Sequence, residues 1–461
     1  MPPRHRQPPL AALLAAVMLL LAFAPPAVAN VGQAGPRLVV IRDAETETLL
    51  RTFATPLFRA AGLDPNLVRI IVIRDDAINS FVSTGNRMFI HTGLIERVDS
   101  ASELIGVIAH ETGHVYGGHL AKLPEQMRAA MLESIAALLI GAAAGVAAHD
   151  AGTGMGAALG GSQMANRSLL AFSRTIEASA DQSAMLFLDD NQWSAEGLLD
   201  LFHKLEGEEA LYSDLQDPYV LTHPLTKDRI AFVQNHVATS PYSRNPPPPG
   251  FEAAFAMVRA KLRGFLTPSS LTLARVPASD NSAPARYERA IALYRLGHTD
   301  EAVRLLDGLI AEQNASPWLY EMKGQTLFEG GRGRAAIPPY QEAARLAPDQ
   351  PLIQQGLGRA MIETDDPILL KPALQHLQAA LRVEHDDDFT WHQLGIAWGR
   401  LGDLGQANLA LAEEALLQGD IAGAHRFATK AEQALPPGPS RLRAQDISNA
   451  VKKENRLGDE Q

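Results

Sequence analysis

Apolar residues recur at helical spacing from Ala44 to Ala60, and the period then shortens to a β-branched run at Val68 to Ile73. A second candidate strand, Arg87 to His91, follows the turn Ser83-Thr84-Gly85-Asn86. Ser100-Ala101-Ser102-Glu103 has capping-box spacing, so a helix is predicted to start there and run through His110 to about Leu120. Met131 to Ala148 is unusually apolar, but Glu133 and His149-Asp150 bracket only about fifteen uncharged residues. That is short of the ~20 a bilayer needs, so the stretch reads as a packed or mobile helical flap rather than a stable membrane span. Mixed periods over Pro36 to Asn245 predict an α+β domain.

The chain then changes character. Asn245 to Gly250 reads NPPPPG, which cannot continue a helix and makes a stiff spacer. Phe251 to Leu266 is predicted to be one amphipathic bridging helix, and Ala278 to Pro284 is polar. Beyond it the pattern repeats with a period of 34: Gly297 and Gly331, Ala302 and Ala336, Ala290 and Gly324, Leu293 and Leu327. Small residues at fixed places let paired helices approach closely, and this is the tetratricopeptide period. Leu357-Gly358 opens a third unit with a short insertion at Asp365 to Pro367. Trp391, Leu394, Gly395, Trp398, Gly402 and Ala407 rebuild the pattern, and Gly419 and Ala424 suggest a degenerate unit. Such arrays present a concave face to proteins, so this all-α solenoid is expected to bind rather than catalyse.

The expected organisation is therefore a targeting segment over 1–29, a catalytic domain over 30–245 and a linker with its bridging helix over 246–283. A repeat domain over 284–440 and a tail over 441–461 complete it. Arg4 and Arg6, the apolar run Leu10 to Phe23 and Ala27-Val28-Ala29 form a cleavable export signal, placing the mature start near Asn30; an uncleaved anchor is the rival reading. A net charge of −11 argues against nucleic acid as a main partner. Cysteine is absent, so any metal here must be held by imidazole and carboxylate.

His110-Glu111-Thr112-Gly113-His114 is HExxH. Residues four apart share one helix face, so both imidazoles can reach one ion while Glu111 stands close enough to deprotonate the attacking water. Two imidazoles and one carboxylate suit zinc, with a fourth position open for chemistry. The candidate third ligand is Glu177. Asp181, four residues on, can accept a hydrogen bond from the outer N–H of a ligating imidazole. Without HExxH this carboxylate pair would read as a solvated face. His91, His119, His203 and His236 read as exposed or capping residues, with His119 ending the HExxH helix on another face.

ASELIGVIAHETGHVYGGH followed by SRTIEASADQSA resembles the HtpX- and CAAX-protease-type zinc metallopeptidases, with their HExxH and later ExxAD-like segment. Asn79-Ser80-Phe81 with STGNRMFIHTGLI, and Thr222-His223-Pro224 with Arg229-Ile230, resemble further segments of that family. With an export signal and a tetratricopeptide arm, the chain is most similar to the periplasmic BepA-like (β-barrel assembly-enhancing protease) branch. The resemblance implies a gluzincin-like fold, one zinc per chain on His110, His114 and Glu177, and Glu111 as catalytic base. It also implies that His223 can approach the zinc and restrain activity, with Arg229 steadying the reaction intermediate. The plainer reading has His223 capping the next helix and Arg229 in a salt bridge, and both stay open. The chain departs from the family pattern at Ser80, where Ala is expected.

The expected activity is a periplasmic zinc endopeptidase acting on unfolded or misassembled envelope proteins. Its repeat arm would dock clients or the outer-membrane β-barrel assembly machinery. The competing expectation is a chaperone or scaffold with a gated or little-used site.

Overall fold

The computed structural model describes residues 38–119, 172–211 and 223–459. The expected export signal, the apolar stretch Met131 to Ala148 and Thr222 lie outside the described residues. Among those described, no helix is long and apolar enough to cross a membrane.

Strand β1 (Val40–Ile41) leads into α1 (Ala44–Ala60), whose start is fixed by the Asp43 side chain accepting from the Thr46 amide at 2.8 Å. The inward stripe Leu49, Leu50, Phe53, Leu57 and Phe58 is buried. Strands β2 (Arg69–Ile73), β3 (Ser80–Ser83) and β4 (Arg87–His91) complete a four-stranded sheet in the order β1-β2-β4-β3. β2 runs parallel to β4, and β3 antiparallel to it. The turn expected before β4 is present, with Gly85 and Asn86 both at positive φ. β3 is therefore an edge strand among the described residues, and it passes beside the HExxH helix.

Short α2 (Thr92–Arg97) precedes α3 (Ala101–Tyr116). Ser100 caps α3 by accepting from the Glu103 amide at 3.2 Å, and Glu103 reaches back to the Asp99 amide at 3.1 Å. α3 ends at Tyr116 rather than near Leu120, because Gly118 turns the chain into the left-handed region at φ +58°. α4 (residues 172–190), α5 (Glu196–Leu211) and α6 (Lys227–Thr239) pack around it. One core runs through the sheet and these helices, and it takes in Phe255, Val258 and Leu262 of α7 (Phe251–Leu266). The bridging helix thus belongs to the catalytic core.

After α8 (Ser269–Arg275) come the repeat helices α9 (Ala283–Arg295), α10 (Thr299–Glu312), α11 (Pro317–Glu329), α12 (Gly333–Leu346) and α13 (Pro351–Ile362). They continue with α14 (Pro367–Val383), α15 (Asp388–Arg400), α16 (Leu404–Leu417), α17 (Ile421–Ala434) and α18 (Pro439–Asp459). Turn residues Gly297 and Gly331 both have positive φ, and so does Asp365, one further period along. The extra residues of the third unit lengthen α14 to 17 residues, against 14 in α12, instead of forming a loop. The stretch from 441, expected as a tail, is helical, and its Ala444 and Ile447 are buried against α16 and α17.

The arm also meets the catalytic domain farther along. Arg42 pairs with Glu384 at 2.7 Å, Arg69 with Asp386 at 2.8 Å, and Gln350 donates to Thr48 at 2.7 Å.

Candidate metal centre and active site

His110, Glu111 and His114 are all buried on α3, opposite the start of α4. What allows the close approach is Gly113: a Cβ there would stand 2.6 Å from the Ala180 carbonyl oxygen. The two backbones meet at that level, so Glu177 and Asp181 of α4 face the two imidazoles. The loop before α6 delivers His223 from the third side, and α6 delivers Arg229.

The structure brings His110, His114, Glu177 and His223 into one cluster of possible metal donors. His110 Nε2 lies 3.1 Å from His114 Nε2, 3.3 Å from Glu177 Oε2 and 3.4 Å from His223 Nδ1. His114 Nε2 stands 3.5 Å from Glu177 Oε1, and His223 Nδ1 stands 3.2 Å from Glu177 Oε2. Four donors held about 2.0–2.1 Å from one ion, as imidazole and carboxylate hold zinc, stand about 3.3 Å apart in a tetrahedron. The donor types suit zinc, five of the six pairs among them come within 3.1–3.5 Å (Glu177 turning Oε1 to His114 and Oε2 to the other two), and one atom from each residue lies within 4.8 Å of the rest.

Electrostatics agree with that reading. Burial opposes charge on Glu177, yet the hydrogen bonds from His110 and His223 outweigh it and hold the carboxyl far below its ordinary range. Burial also pushes His110 down, but Asp181 and Glu177 overcome this and raise it to about 9. His114 falls well below the ordinary histidine value, through burial and the neighbouring His110. A site that favours one proton on its imidazoles also favours a cation, and metal uptake there displaces the proton.

Around the donors lies a second ring of contacts. Asp181 Oδ1 meets His110 Nδ1 at 2.8 Å, which turns Nε2 of that ring toward the cluster. Arg229 grips Asp181 with Nε at 2.6 Å and Nη2 at 2.9 Å, and its Nη1 reaches Glu177 at 3.0 Å. The guanidinium stacks 5.0 Å from the Phe202 ring centroid. Its geometry is that of a buried salt bridge. The cap of α6 is Thr226, not His223. Glu111 Oε1 accepts from Ser80 Oγ at 2.7 Å, while Oε2 has no hydrogen-bond partner among the described residues. Ser80, the departure from the family pattern, thus hydrogen-bonds the carboxylate next to His110.

Two of the histidines set aside as exposed or capping are buried in the fold. His119 is buried, with Nδ1 3.1 Å from His114 Nδ1. A helix continued to Leu120 would carry it to another face; the break at Gly117-Gly118 folds it back. That glycine pair was the sequence signal. His91 is buried as well, at the end of β4, whereas His236 rests on Asp189 at 3.2 Å and His203 is half exposed.

Comparison with known proteins places this geometry. Residues 43–237 match the model of peptidase family M48. A β-barrel assembly-enhancing protease of Yersinia pestis is 26% identical over 393 residues, covering 81% of this chain and 77% of that protein. Its namesake in Escherichia coli K12 is 25% identical over 358 residues, covering 76% of this chain and 71% of that protein. The mitochondrial metalloendopeptidase OMA1 of Schizosaccharomyces pombe is 24% identical over 178 residues, covering 39% of this chain and 49% of that protein. Residues 43–237 therefore form a peptidase family M48 domain, and the chain is a metallopeptidase with a tetratricopeptide-type arm behind its catalytic domain.

Proposed function

We propose that the chain is a zinc endopeptidase of the bacterial periplasm that cuts unfolded or misassembled envelope proteins, and that its resting site is closed by His223. The observation that carries this is the buried four-donor cluster, three imidazoles and a carboxylate with one atom from each within 4.8 Å of the others, a donor set that suits zinc. His110, His114 and Glu177 would hold the ion, and His223 would take the fourth place. When bound, zinc supplies a Lewis acid for the peptide carbonyl and lowers the pKa of water. Within this reading residues 30–245 are the catalytic domain, 246–283 the bridge and 284–440 the client arm. The β-barrel assembly role named in the relatives makes an outer-membrane assembly complex the expected arm partner.

The chain's own residues divide the work. Glu111 takes the proton of the attacking water and passes it to the leaving amine. Ser80 holds Oε1, so Oε2 is the oxygen left to receive the proton. Asp181 and Arg229 keep His110 and Glu177 in place. An extended substrate would add to the outer edge of β3, which pairs with no further strand among the described residues. His223 Nε2 meets the Ser80 carbonyl at 3.1 Å, on that same edge. His223 therefore competes with substrate both at the metal and at the strand.

The test is metal content and proteolysis together, on protein purified without chelator and offered an unfolded outer-membrane protein. About one zinc per chain, with cleavage that chelator abolishes, supports the proposal. Should the resting site be closed nine times in ten, His223→Ala raises the cleavage rate about tenfold. Zinc with no cleavage by either form would favour the chaperone or scaffold reading, which the closing position of His223 keeps in play. A chain without zinc would sink the metal assignment.

A further inference from the structure

The HExxH helix stops one turn earlier than its pattern predicts, and the stop is built in an unusual way. Gly117 has no room for a side chain: a Cβ would lie 2.2 Å from His119 Nε2 and 2.6 Å from Cδ2 of the same ring. Gly118 follows at φ +58°, where L side chains are strained. Between them the two residues reverse the chain and lay the His119 imidazole over the end of α3. It comes to rest edge-on against His114, with ring centroids 5.1 Å apart and an interplanar angle of 82°. Both rings are buried.

At 3.1 Å the two Nδ1 atoms must share one proton, since two bare lone pairs would repel and two N–H groups would clash. The rest of the site says which ring owns it. His114 Nε2 faces His110 Nε2 and Glu177 Oε1, so that nitrogen needs its lone pair to act as a donor to a metal. A neutral imidazole has only one N–H, which then sits on Nδ1 and points at His119. His119 is the acceptor.

We propose that His119 is a positioning residue for the metal centre: its Nδ1 accepts from His114 Nδ1–H and fixes the tautomer and ring orientation that present His114 Nε2 to zinc. It does for His114 what Asp181 does for His110, but with a neutral acceptor. The inference rests on the zinc reading above, and extends it to a residue outside the donor set.

The test measures zinc affinity by competition with a calibrated chelator, on the whole chain, for wild type, His119→Ala, His119→Asn and His119→Leu. Losing an outer hydrogen bond to a ligating imidazole weakens metal binding by about 10–100-fold, which is the expectation for His119→Ala. Asparagine places a carbonyl oxygen near the position of Nδ1, so His119→Asn should recover most of the affinity. A space-filling role predicts that His119→Leu, which has the bulk but no acceptor, recovers at least as much as His119→Asn, whereas the acceptor role predicts recovery in Asn alone. Cleavage kinetics at saturating zinc add a second readout: His119→Ala should regain much of its rate there.

Wild-type affinity in His119→Ala would overturn the proposal, as would equal losses in the Ala and Asn variants or recovery in His119→Leu. Wild type that binds zinc and cleaves nothing would sink the peptidase reading while leaving the His119 result standing. Wild type that binds no zinc would overturn both.

Discussion

Glu111→Gln is expected to lower the cleavage rate by about 10²–10⁴-fold, the contribution of a positioned general base, while leaving zinc content unchanged. The separation follows from where Glu111 sits. It lies between His110 and His114 in sequence, yet its carboxylate is not among the clustered donors: Oε1 rests on Ser80 and 3.5 Å from His223 Nε2, and Oε2 has no hydrogen-bond partner among the described residues. Gln has the same shape, and the Ser80 hydroxyl can rotate to accept from an amide as readily as it donates to a carboxylate. The fold should therefore tolerate the change. What Gln cannot do is accept the proton of water and return it to the departing amine. Glu177→Gln should behave in the opposite order, losing metal first and activity with it. Parallel metal analysis and single-turnover cleavage would separate the two. A Glu111→Gln enzyme that still cut at the wild-type rate would remove Glu111 from the mechanism, whatever its metal content.

The catalytic core of this reading was legible because helical spacing is local. HExxH puts two imidazoles on one face whatever the rest of the chain does, and the Ser100 cap placed the start of that helix. Glu177 required more: nothing in spacing alone says that a carboxylate 67 residues after His110 returns to it. Its neighbour Asp181 and the family resemblance supplied that step, and Gly113 supplies the physical reason, since only a residue without Cβ lets α4 come so near. His223 stood evenly between a cap and a gate, and Thr226 turned out to hold the cap. His119 was misread because the helical period was extended through two glycines. Once the helix ends at Tyr116, face assignments beyond it carry no information.

The junction between catalytic domain and arm was also beyond a sequence reading. Lys261 lies in the run FEAAFAMVRAKLRGFL, which reads as one amphipathic bridging helix with no sign of which partner its lysine meets. Its partners come from three distant segments. A solvated lysine and a buried one look alike until the fold brings those segments together.

Lys261→Met is the second large effect expected. Lys261 is 1% exposed, with Nζ 2.5 Å from Asp43, 3.2 Å from Glu321 and 3.5 Å from Glu45. Asp43 and Glu45 begin α1 of the catalytic domain, Glu321 lies on α11 of the arm, and Tyr287 of α9 donates to Glu45 at 2.9 Å. One ammonium thus ties both parts of the molecule to the helix they share. Burial disfavours its charge, but Asp43 and the other carboxylates outweigh that and raise it well above the ordinary lysine value. Removing the cation leaves buried carboxylates facing one another, a loss of about 3–5 kcal/mol for a broken buried pair. The loss should depend on pH. Burial already lifts Glu45 from 4.5 to about 7, and Glu321 is raised for the same reason, so the folded state holds protons that the unfolded chain releases. Stability from such protons is complete below about pH 4.5 and is lost as pH rises through 7. Without Lys261 these carboxyls rise further, so Lys261→Met should be milder at pH 6 than at pH 8. Urea unfolding at the two pH values, followed through the tryptophans of both parts, measures it. Equal midpoints for wild type and variant at pH 8 would show that the junction is held by its apolar contacts and that the buried charges are incidental to it.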